Sequence, residues 1–289
     1  MGLYRLMLQR FLSVGTCVLL AGCAGHNHGT QDQQSVLEAP NMPAVMASEN
    51  CGHVLEHIPA SEQQRLRPDS IELFNWNAHK HMHKDMHDDL VEMTASTDLI
   101  LLQETAPDYD HLATIEPPLY WVYAPGYNWR RRTTGVITAS RVEPLAYCRI
   151  MSKEPWLRSP KAINITRYAL RGSADTLLVF NVHLINFTLG TKALQQQITA
   201  MAELIEQHDG PVIVSGDFNT WSKKRAQLVT KAMTEHGLNP VAYLQDQRTR
   251  IFGNPVDHLY VRGINDTEAT TINVESSDHN PMTVRLSLL

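Results

Sequence analysis

The sequence has no excess of basic charge. Its 25 Lys and Arg are outnumbered by 30 Asp and Glu, a formal charge of −5. No global positive field therefore draws the chain to nucleic acid, although a local basic groove stays compatible with this balance. Long apolar runs are also lacking: the stretch Phe11 to Leu20 falls short of the roughly 20 residues a spanning helix needs. Cysteine is scarce, with four residues in 289. No internal repeat is present, and no linker-like stretch follows Ser70, which excludes a repeat array and favours one compact unit. What remains has the composition of an ordinary globular protein, long enough for one large α/β domain or two small ones.

Arg5 and Arg10 precede the Phe11–Leu20 stretch. A charged segment followed by a short apolar one is the pattern of an export signal. It ends in Leu20-Ala21-Gly22-Cys23, which resembles the lipobox of bacterial lipoproteins. That resemblance implies a signal peptide over 1–22, lipidation of Cys23 and anchoring to a membrane. Ala24 in place of Asp implies the periplasmic side of the outer membrane. An ordinary secretory signal or a short core helix are the alternatives. With Cys17 removed and Cys23 lipidated, Cys51 and Cys148 remain. In an oxidising compartment two such thiols can pair, whereas Leu145-Ala146-Tyr147-Cys148 also fits a buried strand cysteine that stays unpaired.

Residues 23–70 are polar and weakly periodic, with Pro40, Pro43 and Pro59, and read as a tether and N-terminal extension. The compact unit is expected over 71–289. Short β-branched runs bounded by Gly, Pro or Asn predict strands at 71–75, 99–102, 120–123, 135–138, 162–170, 176–182, 212–214, 256–261 and 282–286. Leu194, Ile198, Met201 and Ile205 recur at helical spacing and Gly210-Pro211 stops them. Ser222 is placed to cap a second helix ending at Gly237, directly after an Asp217/Asn219 loop.

Several apolar runs end abruptly in polar groups: Leu99–Leu102 in Gln103-Glu104, Val212–Val214 in Ser215-Gly216-Asp217-Phe218-Asn219, and the final segment in Ser277-Asp278-His279. Carboxylates, amides and imidazoles at strand mouths suit hydrolysis of a phosphoester. A divalent cation and hydrogen-bond donors neutralise the anionic oxygens, and a His–carboxylate pair moves the proton of water. Asp217 and Asn219 alternate, as on one face of a strand. Asp257 is paired with His279, which leaves Asp278 for a metal, and His183 offers a second imidazole. Each residue alone has a bland reading: a surface carboxylate, an Asx turn, a satisfied core histidine.

The blocks Trp76-Asn77, Leu102-Gln103-Glu104-Thr105, Asn181-Val182-His183, Gly216-Asp217-Phe218-Asn219, Val256-Asp257-His258 and Ser277-Asp278-His279 occur in that order. Together they resemble the endonuclease/exonuclease/phosphatase (DNase I-like) superfamily, and Asn186–Gly190, Ser215–Ser222 and Asp246-Gln247-Arg248 look closest to its YafD-like branch. The resemblance implies a four-layer α/β sandwich, two facing mixed sheets flanked by helices. It implies a monomeric phosphodiesterase acting on nucleic acid or a phospholipid with Mg²⁺, or Mn²⁺ in its place. Glu104 would be the main metal ligand, with Asn77 and Asp278 near the same ion. His279, polarised by Asp257, would be the general base or acid. Asp217 would orient the nucleophile, Asn219 would stabilise the pentavalent centre, and His183, with Lys80 and Lys161, would contact the phosphate. A membrane-tethered, non-catalytic phosphate-binding module on the same fold is the alternative. Arg130–Arg132 and Lys223-Lys224-Arg225 read as solvated basic runs able to guide an anion. His79, His81, His83 and His87 match no zinc spacing and read as a loop near the site.

Overall fold

The computed structural model describes residues 51–81, 83–107, 115, 119–129 and 132–288. The expected signal peptide, Cys23, the first part of the extension and Arg130-Arg131 lie outside the described residues. The strands are β1 (Arg65–Leu66), β2 (Ile71–Asn77), β3 (Leu99–Thr105), β4 (Tyr120–Trp129), β5 (Arg132–Ser140), β6 (Ala146–Lys153), β7 (Pro160–Leu170), β8 (Thr176–His183), β9 (Val212–Asp217), β10 (Asn239–Pro240), β11 (Arg250–Ile251), β12 (Asn254–Pro255), β13 (Asp257–Arg262), β14 (Ile264–Thr271) and β15 (Met282–Leu288). The helices are α1 (Met86–Thr94), α2 (Lys192–Glu206) and α3 (Lys223–Glu235).

Two mixed sheets form the core. One runs β14-β15-β2-β3-β5-β4, the other β1-β7-β8-β9-β13-β10 with β6 also on β7. The inner faces meet through Leu73, Leu99, Leu101, Val179, Ile213, Leu259 and Val284, all buried. The outer face of the second sheet packs Leu178, Phe180 and Val214 against Leu194, Ile198 and Met201 of α2 and Val229 of α3. The outer face of the first sheet packs Phe74 and Ile100 against Met86 and Leu90 of α1. These contacts build the helix–sheet–sheet–helix order that the resemblance implies. The central strands are apolar on both sides because both faces are covered.

Ser222 caps α3, its hydroxyl accepting from the Arg225 N–H at 3.4 Å. The basic run after it is not uniformly solvated. Arg225 is fully buried and donates from Nε to the Asn219 carbonyl at 2.7 Å and from its other arm to Ile185 O. It ties two site loops together instead of steering an anion. Of the histidine-rich stretch, His79–His81 form a 3₁₀ turn and His87 lies on α1.

Residues 51–70 contribute to the domain, which therefore begins before residue 71. Cys51–Leu55 form a 3₁₀ turn whose Val54 is buried in the second sheet's outer core. Arg65 and Leu66 pair in parallel with Ala169 and Leu170. Cys51 and Cys148 are joined in a disulfide, which resolves the two cysteine readings in favour of pairing.

Gly216 is a backbone necessity. It has φ +142°, and a Cβ there would meet the Val182 carbonyl oxygen at 2.0 Å. A side chain at this position would part β8 from β9 where they present His183 and Asp217. Gly216→Ala is expected to destabilise the fold by more than about 3 kcal/mol, read as a lowered denaturation midpoint; a variant of wild-type midpoint would refute the close approach.

Candidate active site

Strand register gathers the polar residues at one end of both sheets. His183 lies opposite Asp217 across β8 and β9, and Asp257 lies opposite Asp217 across β13 and β9. In the other sheet Asn77 ends β2 beside Gln103 of β3, and Glu104 follows at a break in the β3–β5 register. A buried amide network joins the sheets beneath them. Gln103 Nε2 donates to Asn181 Oδ1 at 2.7 Å and to Asn75 Oδ1 at 3.0 Å, and Asn181 Nδ2 donates to the Ile137 carbonyl at 2.8 Å. The loop after β14 is fastened to β2: Ser277 Oγ donates to Asn77 O at 2.7 Å, and the Trp76 indole donates to His279 O at 2.8 Å.

The site is strained. His79, Lys80, Glu104 and Asn219 all have positive φ, between 42° and 62°, a region that non-glycine residues seldom occupy. Backbone strain of about 1–3 kcal/mol per residue persists only where the surroundings impose it and concentrates at functional sites. Glu104 takes this conformation at the β3–β5 register break, where its carboxylate meets Lys80 and His183.

His279 Nδ1 meets Asp257 Oδ2 at 2.7 Å. Asp257 is buried, and its other oxygen has no hydrogen-bond partner among the described residues. Burial disfavours the His279 cation, yet the Asp257 carboxylate, through charge and hydrogen bond, reverses this with help from Asp217 and Asp278 and lifts the imidazole to about 10. Burial raises Asp217 to about 6, the His279 cation pulling against it and the Asp257 charge adding to it. Asp217 Oδ2 accepts from Asn77 Nδ2 at 3.0 Å, and its Oδ1 accepts from the Asn219 N–H at 2.8 Å. At neutral pH the pair is thus a proton-bearing His279 and an ionised Asp217.

His183 Nε2 lies 2.6 Å from Lys161 Nζ, 3.7 Å from Glu104 Oε1 and 3.6 Å from Asp217 Oδ2. Burial, and then the Lys161 charge, hold His183 well below the usual imidazole range, and burial likewise lowers Lys161 against the Glu104 and Asp217 carboxylates. Lys80 pairs with Glu104, and His79 pairs with Asp278. Burial opposes ionisation of Glu104, but His183, Lys80 and Lys161 together bring it down to about 2. The His79 partner similarly lowers Asp278 against burial, and Asp278 feels the Glu104 charge.

Asn219 lies in the loop after β9, outside the strand spacing read in the sequence. The strand ends at Asp217, so the two side chains do not share a strand face. The Asn219 N–H closes an Asx turn on Asp217, and its Nδ2 donates to the Leu184 carbonyl at 3.0 Å. It shapes the loop. Asn77 likewise is engaged at both ends, its amide on Asp217 and its oxygen on the His79 N–H.

Among the described residues, the His, Asp and Glu side chains spaced to hold one ion are Asp217, Asp257 and His279. His279 already spends Nδ1 on Asp257, and a protonated ring repels a cation, so this trio is better suited to proton transfer. Glu104 and Asp278 fit a cation by a different sign: Glu104 already pairs with the Lys80 amine and Asp278 with a ring nitrogen of His79. Their oxygen donors suit a hard divalent ion; the Asn77 carboxamide is taken up by Asp217 and the His79 N–H.

Two site residues escaped the sequence reading. Tyr127 is hydrogen-bonded to Glu104, and burial together with that carboxylate pushes its phenol upward; Lys161 Nζ lies 5.3 Å from its ring centre. Arg248 stacks on Tyr243 at 4.6 Å and donates to the Asp257 carbonyl at 3.2 Å. A tyrosine inside a strand carries no local signal. Arg248 lay within a noted motif that suggested no role.

Two stacked mixed sheets with helices outside and a polar pocket at their shared end define the DNase I-like class of α/β sandwiches. The chain belongs to the endonuclease/exonuclease/phosphatase family, whose family model matches residues 74–279. Within it the relatives are of the YafD-like branch. A UPF0294 protein of Vibrio vulnificus is 36% identical over 229 residues, covering 76% of this chain and 78% of the relative. A UPF0294 protein of Vibrio campbellii is 31% identical over 261 residues, covering 88% and 92%. An endonuclease/exonuclease/phosphatase family protein of Leptotrichia buccalis superposes with a TM-score of 0.59 at 16% identity, covering 75% of this chain and 99% of that one.

Proposed function

We propose that the chain is a divalent-cation-dependent phosphodiesterase. Members of its family are typically metal-dependent phosphoester hydrolases. The observation that carries the proposal is the buried His279–Asp257 pair set against Asp217, with Glu104, His183 and Lys161 in the same pocket. A phosphate-binding module needs no such proton-transfer pair, so the catalytic reading is preferred.

Glu104 and Asp278 would hold the ion, Mg²⁺ or in its place Mn²⁺, which would supply charge neutralisation at the phosphoryl oxygens. Asp217, ionised above about 6, accepts the proton of the attacking water. His279, protonated below about 10, donates to the departing oxygen. Lys161, which burial pushes down in pKa while the Glu104 and Asp217 carboxylates oppose that shift, contacts the phosphate beside His183. Asp257 fixes the His279 ring through Nδ1 and leaves Nε2 for the substrate.

The test is hydrolysis of bis-p-nitrophenyl phosphate by the purified chain with Mg²⁺, with and without a chelator. Glu104→Gln is expected to raise the Mg²⁺ concentration for half-maximal rate by at least about tenfold. An unchanged metal titration would remove Glu104 from the ion, and no hydrolysis under any condition would overturn the proposal.

We further infer an exported protein held by a lipid on Cys23 at the periplasmic side of the outer membrane. The Cys51–Cys148 disulfide supports this, since such bonds persist in oxidising compartments. Among the described residues no helix is long and apolar enough to cross a membrane. Cys23→Ser is expected to move the protein from the membrane to the soluble fraction after lysis, and retention in the membrane pellet would count against the anchor.

A further inference from the structure

Two loops border the pocket, and both leave apolar side chains in solvent. The first runs from Glu154 to Ser159 and enters β7, which carries Lys161; the second leaves β8 directly after His183 and runs to α2. β7 and β8 are antiparallel neighbours, with Ile163 opposite Val182, so both loops lie side by side at the active-site end of the sheet. On the first, Trp156 and Leu157 are 59% and 62% exposed; on the second, Phe187 and Leu189 are 48% and 80% exposed.

These side chains sit on a clamped support. Glu154 is buried, and its Oε1 accepts from the N–H groups of Asn186 at 2.9 Å and Phe187 at 3.2 Å. Its other oxygen accepts from Ser159 Oγ at 2.5 Å. One carboxylate therefore binds its own loop and the neighbouring loop together. Arg158 at φ +53° turns the first loop, and its N–H donates to the Glu154 carbonyl at 3.0 Å. Holding large apolar groups outward on a fixed frame costs stability that a free surface does not recover.

The charge of this rim is opposite to that of the chain. From Lys153 to Lys192 along the two loops, the exposed ionic residues are Lys153, Arg158 and Lys192, and the sole acid, Glu154, is buried. The whole chain carries −5. Tryptophan, phenylalanine and leucine flanked by Lys and Arg, with no exposed acid, match an anionic lipid surface, where rings and aliphatic groups enter the headgroup boundary and cations meet phosphates.

We propose that these two loops dock the pocket onto an anionic phospholipid bilayer, and that the substrate is a phosphodiester in the headgroup layer. The docking half stands on the loops alone; the substrate half rests on the hydrolase reading. A bilayer contact at this rim directs Lys161 and the His183 end of β8 toward the plane of the headgroup phosphates.

The test uses the full chain carrying Cys23→Ser, so that no acyl chain contributes, with vesicles of phosphatidylcholine and phosphatidylglycerol. It should co-sediment with the vesicles, more weakly at high salt. Leu157→Ser with Leu189→Ser should lower the partition coefficient by at least about tenfold and leave hydrolysis of soluble bis-p-nitrophenyl phosphate unchanged. Hydrolysis of vesicle phospholipid should fall in parallel. Brominated phospholipid should quench the fluorescence lost in Trp156→Phe. Equal partition of the two proteins, or no partition of either, would overturn the docking. So would a patch that proves to join two copies of the chain, seen as a dimer abolished by the substitutions while vesicle binding is unchanged. Docking without hydrolysis of vesicle lipid would overturn the substrate half. If soluble ester is cleaved in that case, the hydrolase reading stands; if neither ester is cleaved, that reading fails and the docking surface remains.

Discussion

Replacing His279 with alanine is expected to lower the turnover of a phosphodiester by about 10²–10⁴-fold, the usual worth of a positioned acid–base group. The main-chain anchors of this residue survive the change, because the Trp76 indole holds its carbonyl and its N–H donates to Ser277 Oγ. The loss would therefore report chemistry and not a displaced loop. Asp257→Asn keeps the shape of the carboxylate but removes the charge that sustains the imidazolium, and a fall of similar size is expected. The pH profile separates the roles. Asp217 must be ionised, so the rate should rise as pH passes about 6; His279 must hold its proton, so it should decline as pH approaches about 10. These limbs belong to the coupled set of Asp217, Asp257 and His279, not to single residues. Loss of the alkaline limb in His279→Ala, with the acid limb retained, is the expected signature. Wild-type turnover in that variant would remove His279 from the reaction.

Several of the residues that converge were legible because they end apolar strands: Asn77, Glu104, His183 and Asp217. A buried strand can tolerate Glu104, His183 or Asp217 only at its mouth, so the sequence positions of the polar groups marked the pocket before any contact was known. The four-layer order came from the resemblance of the motif blocks to the DNase I-like superfamily; strand and helix periodicity alone indicated only a mixed α/β domain. What a linear pattern cannot carry is the identity of partners. Asn219 and Asp217 alternate as if on one strand face, but the left-handed backbone at Asn219 breaks that spacing and sends its amide to Leu184. Arg225 follows two lysines and looks like part of a solvated run, yet the loop carbonyls of Asn219 and Ile185 draw it fully inside. Glu154 gave no signal either, because the donors it accepts from are main-chain N–H groups of a loop 32 and 33 residues away.

Breaking the Cys51–Cys148 disulfide is expected to have the largest effect on stability of any change remote from the pocket. The two cysteines are 97 residues apart. Closing a loop of about 100 residues restricts the unfolded chain by up to about 4.7 kcal/mol, and native disulfides commonly contribute about 2–5 kcal/mol. For a domain of this size each kcal/mol moves the melting temperature by about 2–4 °C, so Cys51→Ala with Cys148→Ala should lower it by roughly 5–15 °C. The bond reaches one of the least supported parts of the fold. The 3₁₀ turn at Cys51–Leu55 has a single fully buried apolar side chain, Val54, besides the bonded cysteine. Among the described residues β6, on the other side of the bond, is paired with β7 alone. Turnover at room temperature should be unchanged, because no residue of the turn enters the pocket. Reductant should lower the melting temperature of the wild type to that of the double variant and leave the variant unaffected. Equal melting temperatures with and without reductant would mean that the crosslink is not formed in the folded protein, and the support it lends to an exported location would go with it.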